Sequence, residues 1–107
     1  MIFIETSIFT KFLSDYLSDD QYRELQEFLI ENPTAGDLIQ ETGGLRKLRW
    51  AANNKGKRGG VRIIYYFYTT KDQIYFMTLY AKNEVSDLSA TDKKALKQIL
   101  EKIIKAH

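Results

Sequence analysis

Two apolar segments joined by a short polar connection constrain the fold more than any other feature of the sequence. Residues 61–68 read VRIIYYFY and residues 74–80 read IYFMTLY, and both are rich in the β-branched and aromatic residues that strands favour. Two strands so close in sequence pair as an antiparallel hairpin. Because 107 residues suffice for one hydrophobic core, we expect this hairpin to be the centre of a single domain, residues 1–107.

Apolar spacing predicts further elements on both sides of the hairpin. Residues 2–4 form a short apolar run that is typical of a strand, and residues 8–17 follow helical spacing. The SDDQ sequence at 18–21 resembles a capping box that begins a second helix, and SATD at 89–92 begins a third, amphipathic helix. With a further strand over residues 45–50, the predicted fold class is α+β: an antiparallel sheet packed with two N-terminal helices and one C-terminal helix.

The net charge of +2 conceals a strongly uneven distribution. Residues 1–43 hold nine acidic and two basic side chains, a net charge of −7. Residues 44–62 hold seven basic side chains and none that is acidic, a net charge of +7, whereas residues 63–107 hold seven basic and five acidic side chains. A basic block of this density is the electrostatic footprint of a polyanion-binding face. The alternative is a solvated loop that is basic without binding anything.

Several classes of site are disfavoured by the residues that the chain lacks. The sequence has no cysteine, which excludes disulfides and thiolate metal sites and suits a reducing, cytoplasmic location. Its single histidine, His107, is expected to be frayed at the end of the last helix, so we expect no histidine-based triad, no bound metal and no cofactor. The first residues lack the pattern of a signal peptide, and no apolar run approaches membrane-spanning length.

Lysine, arginine and tyrosine remain, and they can support one reaction. RNA carries its own nucleophile, the 2′-hydroxyl group, beside each phosphate. A catalyst must hold the backbone in line, move two protons and neutralise the developing phosphorane, and clustered cations do the last of these directly. Alternation in LRKLRW, residues 45–50, places Lys47 and Arg49 on one face of a strand. The alternative for Lys47 and Arg49 is that they only form the solvent-exposed side of a sheet. The alternative for Arg62 is a structural role, stacked on neighbouring tyrosines.

The segments GLRKLRW, KGKRGGVRIIYYF and IYFMTLYAKNEVSDLS resemble RelE/HigB-type toxins of bacterial type II toxin–antitoxin systems, in the RelE/ParE superfamily, and most of all the HigB-like branch. The resemblance implies a ribosome-dependent mRNA endonuclease, or mRNA interferase, that cuts in the 30S decoding site and is silenced by a small helix-turn-helix (HigA-like) antitoxin. Matched by position, it implies catalytic roles for four cations: Lys47, Arg49, Arg62 and Lys82.

Three positions depart from RelE within this resemblance. Asn83 stands where RelE has an arginine, and Ser89 stands where RelE has a tyrosine that stacks on a base. Arg49 replaces a lysine credited with proton donation, a role that arginine fills poorly.

Seven further cations are predicted to contact RNA or the ribosome: Arg46, Lys55, Lys57, Arg58, Lys93, Lys94 and Lys97. Three of them lie in the Gly/Asn-rich stretch before residue 61, and another three lie on the last helix. Two other functions stay open at this point. A ParE-type, gyrase-inhibiting toxin would share the fold without cleaving RNA, and a non-catalytic RNA-binding module would need only the basic surface.

Overall fold

The computed structural model describes residues 1–51, 60–85 and 87–107. These residues form three helices and a five-stranded sheet, which confirms the α+β prediction. A single turn of 3₁₀ helix, Thr69–Lys71, connects the two hairpin strands. In chain order the elements are β1 (Ile2–Glu5), α1 (Ser7–Tyr16), α2 (Asp19–Glu31), β2 (Asp37–Leu38), β3 (Arg46–Trp50), β4 (Val61–Tyr68), β5 (Gln73–Ala81) and α3 (Ala90–Lys105).

The predicted hairpin lies in the middle of the sheet, whose strand order is β1-β5-β4-β3-β2. The pairs β4/β5, β3/β4 and β2/β3 are antiparallel. The strand β1 is parallel to β5, with Ile2 opposite Gln73, so the sheet is mixed rather than wholly antiparallel. In sequence, the three remaining strands and the helices α1 and α2 lie between β1 and β5.

One face of the sheet, called here the α1/α2 face, packs against the first two helices. The capping box predicted at 18–21 is present, with both reciprocal hydrogen bonds, and it fixes the start of α2. The core of this face is strongly aromatic: the ring of Phe76 stacks on Phe9 at 4.7 Å and on Phe3 at 5.6 Å between centroids. Leu25 from α2 is fully buried in the same cluster. This face therefore supplies a continuous apolar core.

The opposite face, called here the α3 face, is covered by the C-terminal helix. Leu96 and Leu100 of α3 are buried against Ile64 and Met77 of the central strands. The amphipathic pattern of α3 is thus confirmed, except that Ile104, which helical spacing places on the same side as Leu96 and Leu100, is 39% exposed.

A bulge in β5 decides which side chains reach the α3 face. Ile64 pairs with Thr78 and Tyr65 pairs with Phe76, so Met77 is an extra residue on β5. Alternation would place Tyr80 on the same face as Phe76. The extra residue reverses the phase, and Tyr80 belongs to the cluster under α3 instead.

Candidate functional site

The pairing of β3 with β4 brings three cationic side chains together on the α3 face. Arg49 lies directly opposite Arg62, and Lys47 lies opposite Ile64, two residues further along. These three residues, Lys47, Arg49 and Arg62, are called here the cationic strand face. Like charges directly opposite each other destabilise an antiparallel pair. Positive charge is concentrated at this place in the sheet despite the cost in stability, which favours a role in binding anions.

The next strand continues this surface with a tyrosine. Tyr80 of β5 lies opposite Arg62 of β4, so Arg62 is flanked on its two sides by Arg49 and Tyr80. Burial, followed by the nearby Asp87 carboxylate, raises the pKa of the Tyr80 hydroxyl, while Arg62 acts in the opposite direction. The hydroxyl oxygen of Tyr80 is buried and has no hydrogen-bond partner within the part of the chain that the structure describes.

A carboxylate from the loop before α3 reaches the cationic strand face. The Nζ atom of Lys47 lies 3.3 Å from Oδ1 of Asp87, and the same oxygen accepts a hydrogen bond of 2.8 Å from the Leu88 backbone N–H. The Leu88 N–H is the largest influence that holds the pKa of Asp87 below its usual value, with Lys47 contributing in the same direction. Sequence reasoning missed Asp87, because nothing in the sequence brings it to a lysine forty positions earlier.

The fourth predicted catalytic residue, Lys82, lies in an exposed turn directly after β5. Its backbone N–H donates a 3.2 Å hydrogen bond to the carbonyl oxygen of Gly60, just before β4. Gly60 has φ +61°, and a Cβ atom there would collide with the carbonyl oxygen of Trp50, so only glycine fits. These contacts bring the end of β3, the start of β4 and the end of β5 to one edge of the cationic strand face.

The turn that carries Lys82 is also tied to the first helix. The hydroxyl of Tyr16 donates a 2.6 Å hydrogen bond to Oε1 of Glu84. This carboxylate, together with partial burial, raises the pKa of Tyr16 to about 12. The Tyr16 hydroxyl therefore stays a donor at neutral pH, and the tie between α1 and the turn is retained.

Arg46 lies on the other side of β3 from Lys47. Its Nη1 atom donates to the carbonyl oxygens of Gly36, at 2.8 Å, and Thr34, at 3.2 Å. The guanidinium thus holds the segment between α2 and β2, away from the cationic strand face. Its contact with RNA stays a prediction, and the structure gives it this local partner instead.

The lysines predicted on the last helix form a second basic surface. Lys93, Lys94 and Lys97 line a shallow depression together with Glu41 and Ala90. The charge of Lys93 also helps to lower the pKa of Asp87, so this surface adjoins the pair made by Lys47. The predicted RNA-binding residues Lys55, Lys57 and Arg58 lie outside the described residues.

His107 is packed rather than frayed, contrary to expectation. Its Nε2 atom lies 2.7 Å from the Tyr75 hydroxyl oxygen, and its ring packs edge-on against Tyr68 at 4.9 Å. Both tyrosines lie at the opposite end of the hairpin from Arg62 and Tyr80. The histidine is therefore separated from the cationic strand face by the length of the hairpin.

Residues 1–51, 60–85 and 87–107 contain no group of three histidine, cysteine or acidic side chains placed to hold a metal ion. Over the same ranges, no helix combines the length and the apolar character that crossing a bilayer requires.

Comparison with known proteins agrees with the fold. Residues 3–107 match the family described as RelE toxin of the RelE/RelB toxin–antitoxin system. Among solved structures, a double arginine-to-alanine mutant of E. coli toxin RelE in the free state is similar, with a TM-score of 0.55 and 11% sequence identity. The alignment covers 79% of this chain and 86% of that chain. At this identity the likeness concerns the fold alone.

Proposed function

Because the chain belongs to the RelE toxin family, the toxins of toxin–antitoxin systems, we propose that it is a ribosome-dependent mRNA endonuclease of the HigB-like branch. The observation that supports this proposal is the register of β3 against β4, which sets Arg49 opposite Arg62 with Lys47 beside them. Three cations on one face of two adjacent strands match the charge that develops on a phosphate under attack.

The proposed reaction is an internal transfer at phosphorus. The 2′-oxygen of the RNA forms a bond to the adjacent phosphorus and loses its proton, while the bond from phosphorus to the 5′-oxygen of the next nucleotide breaks. That oxygen gains a proton, so the products are a 2′,3′-cyclic phosphate and a 5′-hydroxyl group. Arg49 and Arg62 neutralise the additional negative charge on the phosphoryl oxygens, and Lys47 and Lys82 hold the neighbouring backbone.

Two of these cations are supported by contacts in the structure. Asp87 holds the ammonium group of Lys47 at 3.3 Å, and a hydrogen bond from the backbone N–H of Lys82 to the carbonyl oxygen of Gly60 holds the turn after β5. Pre-positioned charge contributes more to catalysis than mobile charge, since no reorganisation is needed during the reaction.

The requirement for ribosomes follows from what the site lacks. Arginine transfers protons poorly at neutral pH, so alignment of the substrate must supply much of the acceleration. A decoding site holds the mRNA in a fixed path, and its ribosomal RNA offers phosphates to the predicted docking residues Lys93, Lys94 and Lys97. Such docking weakens steeply as salt rises, because it releases counterions.

The partner expected for this toxin is a cognate antitoxin, which we propose to be of the small, helix-turn-helix HigA-like type. A covering segment must neutralise or block the cationic strand face, and an acidic chain does so most directly. Co-expression of the adjacent gene should abolish cleavage, whereas harmless expression of the toxin alone would contradict the proposal.

The test is cleavage of one mRNA, with and without ribosomes, by the parent and two charge-matched variants. Arg62→Ala removes one charge from the cationic strand face, and Lys71→Ala removes one from the exposed turn at the far end of β4. We expect about 100-fold slower cleavage in the first variant and parental cleavage in the second. Equal rates on free RNA would contradict ribosome dependence.

Two parallel assays separate the other functions. Inhibition of gyrase supercoiling without RNA cleavage would identify a ParE-type toxin. RNA binding without either activity would identify a non-catalytic module. Metal analysis of the purified protein should show no stoichiometric ion, since the proposed chemistry uses side-chain cations alone.

A further inference from the structure

A carboxylate in contact with the cationic strand face reduces the net positive charge of that face. Oδ1 of Asp87 lies 3.3 Å from Nζ of Lys47, and the Leu88 backbone N–H donates a 2.8 Å hydrogen bond to the same oxygen. The Leu88 side chain packs against the core under α3. The position of the Asp87 carboxylate is therefore set by the fold, through the backbone beside it.

Asp87 also lies where two basic surfaces meet. Its carboxylate interacts electrostatically with Lys93, which lines the basic depression on α3. On the other side it acts on Tyr80, the cross-strand neighbour of Arg62. A negative charge thus separates the cationic strand face from the lysines of the last helix.

A negative charge at this place acts against the binding of a free polyanion. Each phosphate that binds a lysine releases counterions, and this sum dominates the affinity for RNA of any sequence. Asp87 balances the charge of Lys47, so a free strand gains little attraction there, and a phosphate near the carboxylate is repelled. A single strand that contacts both basic surfaces must pass this carboxylate.

A ribosome with mRNA bound differs from a free strand in this respect. The mRNA and the ribosomal RNA are separate chains, so each can contact one basic surface and neither has to pass Asp87. The ammonium group of Lys47 has three N–H donors, and those not directed at Asp87 remain for a phosphate that the decoding site holds in place. The carboxylate therefore costs a free strand more binding energy than it costs the ribosome-bound substrate.

We propose that Asp87 is a specificity-determining residue that favours ribosome-bound mRNA over free RNA, by pairing with Lys47 and by separating the two basic surfaces. The inference rests on the proposed function and adds to it a residue that weakens the wrong interaction. Asp87 acts through Lys47 and takes no part in bond breaking. Specificity is a difference of affinities, so an element that disfavours the competing partner contributes to it directly.

One variant and one charge-matched control test the proposal. Asp87→Asn removes the negative charge and keeps an oxygen that can accept from the Leu88 N–H. Asp37→Asn removes the same charge from a residue that lies opposite Lys47 in the pairing of β2 with β3. Asp37 makes no ion pair within the part of the chain that the structure describes, so this control changes the charge near Lys47 without releasing its ammonium group.

The first measurement is the binding of a fluorescent 2′-O-methyl RNA oligonucleotide, which has no free nucleophile, to the protein without ribosomes. One released lysine should steepen the slope of log affinity against log salt by about 0.7, or about fivefold tighter binding at about 0.1 M salt. We expect this gain in Asp87→Asn and less than about twofold in Asp37→Asn, because salt screens a charge that makes no direct contact. Unchanged affinity in Asp87→Asn, or an equal gain in Asp37→Asn, would overturn the proposal. This assay needs no cleavage, so its result is independent of whether the proposed function is correct.

The second measurement is cleavage of mRNA on programmed ribosomes while the same oligonucleotide is added as a competitor. Each rate is expressed as a fraction of that variant's own rate without competitor. Asp87→Asn should be half inhibited at about fivefold less competitor than the parent, and Asp37→Asn should behave as the parent. Loss of a merely structural contact would lower the rate without competitor and leave the sensitivity unchanged, so equal sensitivity of Asp87→Asn and the parent would overturn the proposal.

Discussion

The two faces of the sheet differ in their packing and in how far their polar and charged groups find partners. On the α1/α2 face, two helices cover an aromatic core in which Phe9 and Phe76 are fully buried, and the buried Tyr65 hydroxyl both accepts from the Gly36 N–H and donates to the Pro33 carbonyl. On the α3 face, one helix covers part of the surface. There Arg49 opposes Arg62, and the Tyr80 hydroxyl has no partner within the described part of the chain.

This difference indicates that the α1/α2 face stabilises the fold, whereas the α3 face is suited to binding a ligand. Polar groups that are satisfied, and rings that stack, stabilise the fold. Facing like charges and an unsatisfied hydroxyl reduce stability, and such costs are retained where a ligand will compensate for them. The central strands β4 and β5 belong to both faces, so the well-packed α1/α2 face holds the α3 face in register.

The largest effect on stability is expected on the α1/α2 face. Phe9→Ala removes a fully buried ring stacked on Phe76, and should lower the free energy of unfolding by about 3–5 kcal/mol. Phe12→Ala, on the same helix but 38% exposed, should cost about 1 kcal/mol. Urea unfolding followed by circular dichroism measures both, and equal losses would remove the basis for treating this face as the core.

The largest effect on activity is expected on the α3 face, without a matching loss of stability. Arg49→Ala should slow ribosome-dependent cleavage about 100-fold, because it removes one charge that faces the transition state. Relief of the cross-strand repulsion with Arg62 should leave the free energy of unfolding unchanged or raise it by about 0.2–1 kcal/mol. Cleavage assays and urea unfolding on the same preparation decide the matter. Marked destabilisation would show that Arg49 is structural.

One pair of substitutions compares the faces with identical chemistry. Tyr65→Phe leaves the buried Gly36 N–H without its acceptor, and should cost about 1–3 kcal/mol of unfolding free energy. Tyr80→Phe removes a hydroxyl that has no partner in the described residues, and should be neutral or stabilising. Thermal unfolding of both variants gives the comparison, and a larger loss in Tyr80→Phe would reverse it.

The smallest effect concerns the pH dependence of the pair between Lys47 and Asp87. Folding lowers the pKa of Asp87, so its contribution to stability is present above the unfolded value of about 4 and is lost as pH falls through the lower folded value. The pair is largely exposed, so Asp87→Asn should cost less than about 1 kcal/mol at neutral pH. Unfolding free energies of parent and variant should converge in acid, and a constant difference would contradict this origin.

Local patterns in the sequence were sufficient to predict most elements. The hairpin over residues 61–80 and the capping boxes at Ser18 and Ser89 depend on neighbouring residues alone, and the structure confirms them. Alternation likewise placed Lys47 and Arg49 together. The same alternation assigns Arg46 to the other face, a signal that was available in the sequence.

Features that depend on distant residues could not be predicted in this way. The bulge at Met77 changes the phase of β5, and no local signal marks it, so the presence of Tyr80 under α3 was not foreseen. The contact of Asp87 with Lys47 requires the fold to be known first.

The parallel pairing of β1 with β5 determines how late in synthesis the sheet can be completed. Ile2 pairs with Gln73 and Glu5 pairs with Phe76, so the first strand to be made must wait for the last. At about 5–20 residues per second, that wait lasts roughly 4–14 s, and such distant pairings also slow folding itself. The sheet that aligns the cations is therefore completed late, after most of the polypeptide has been translated.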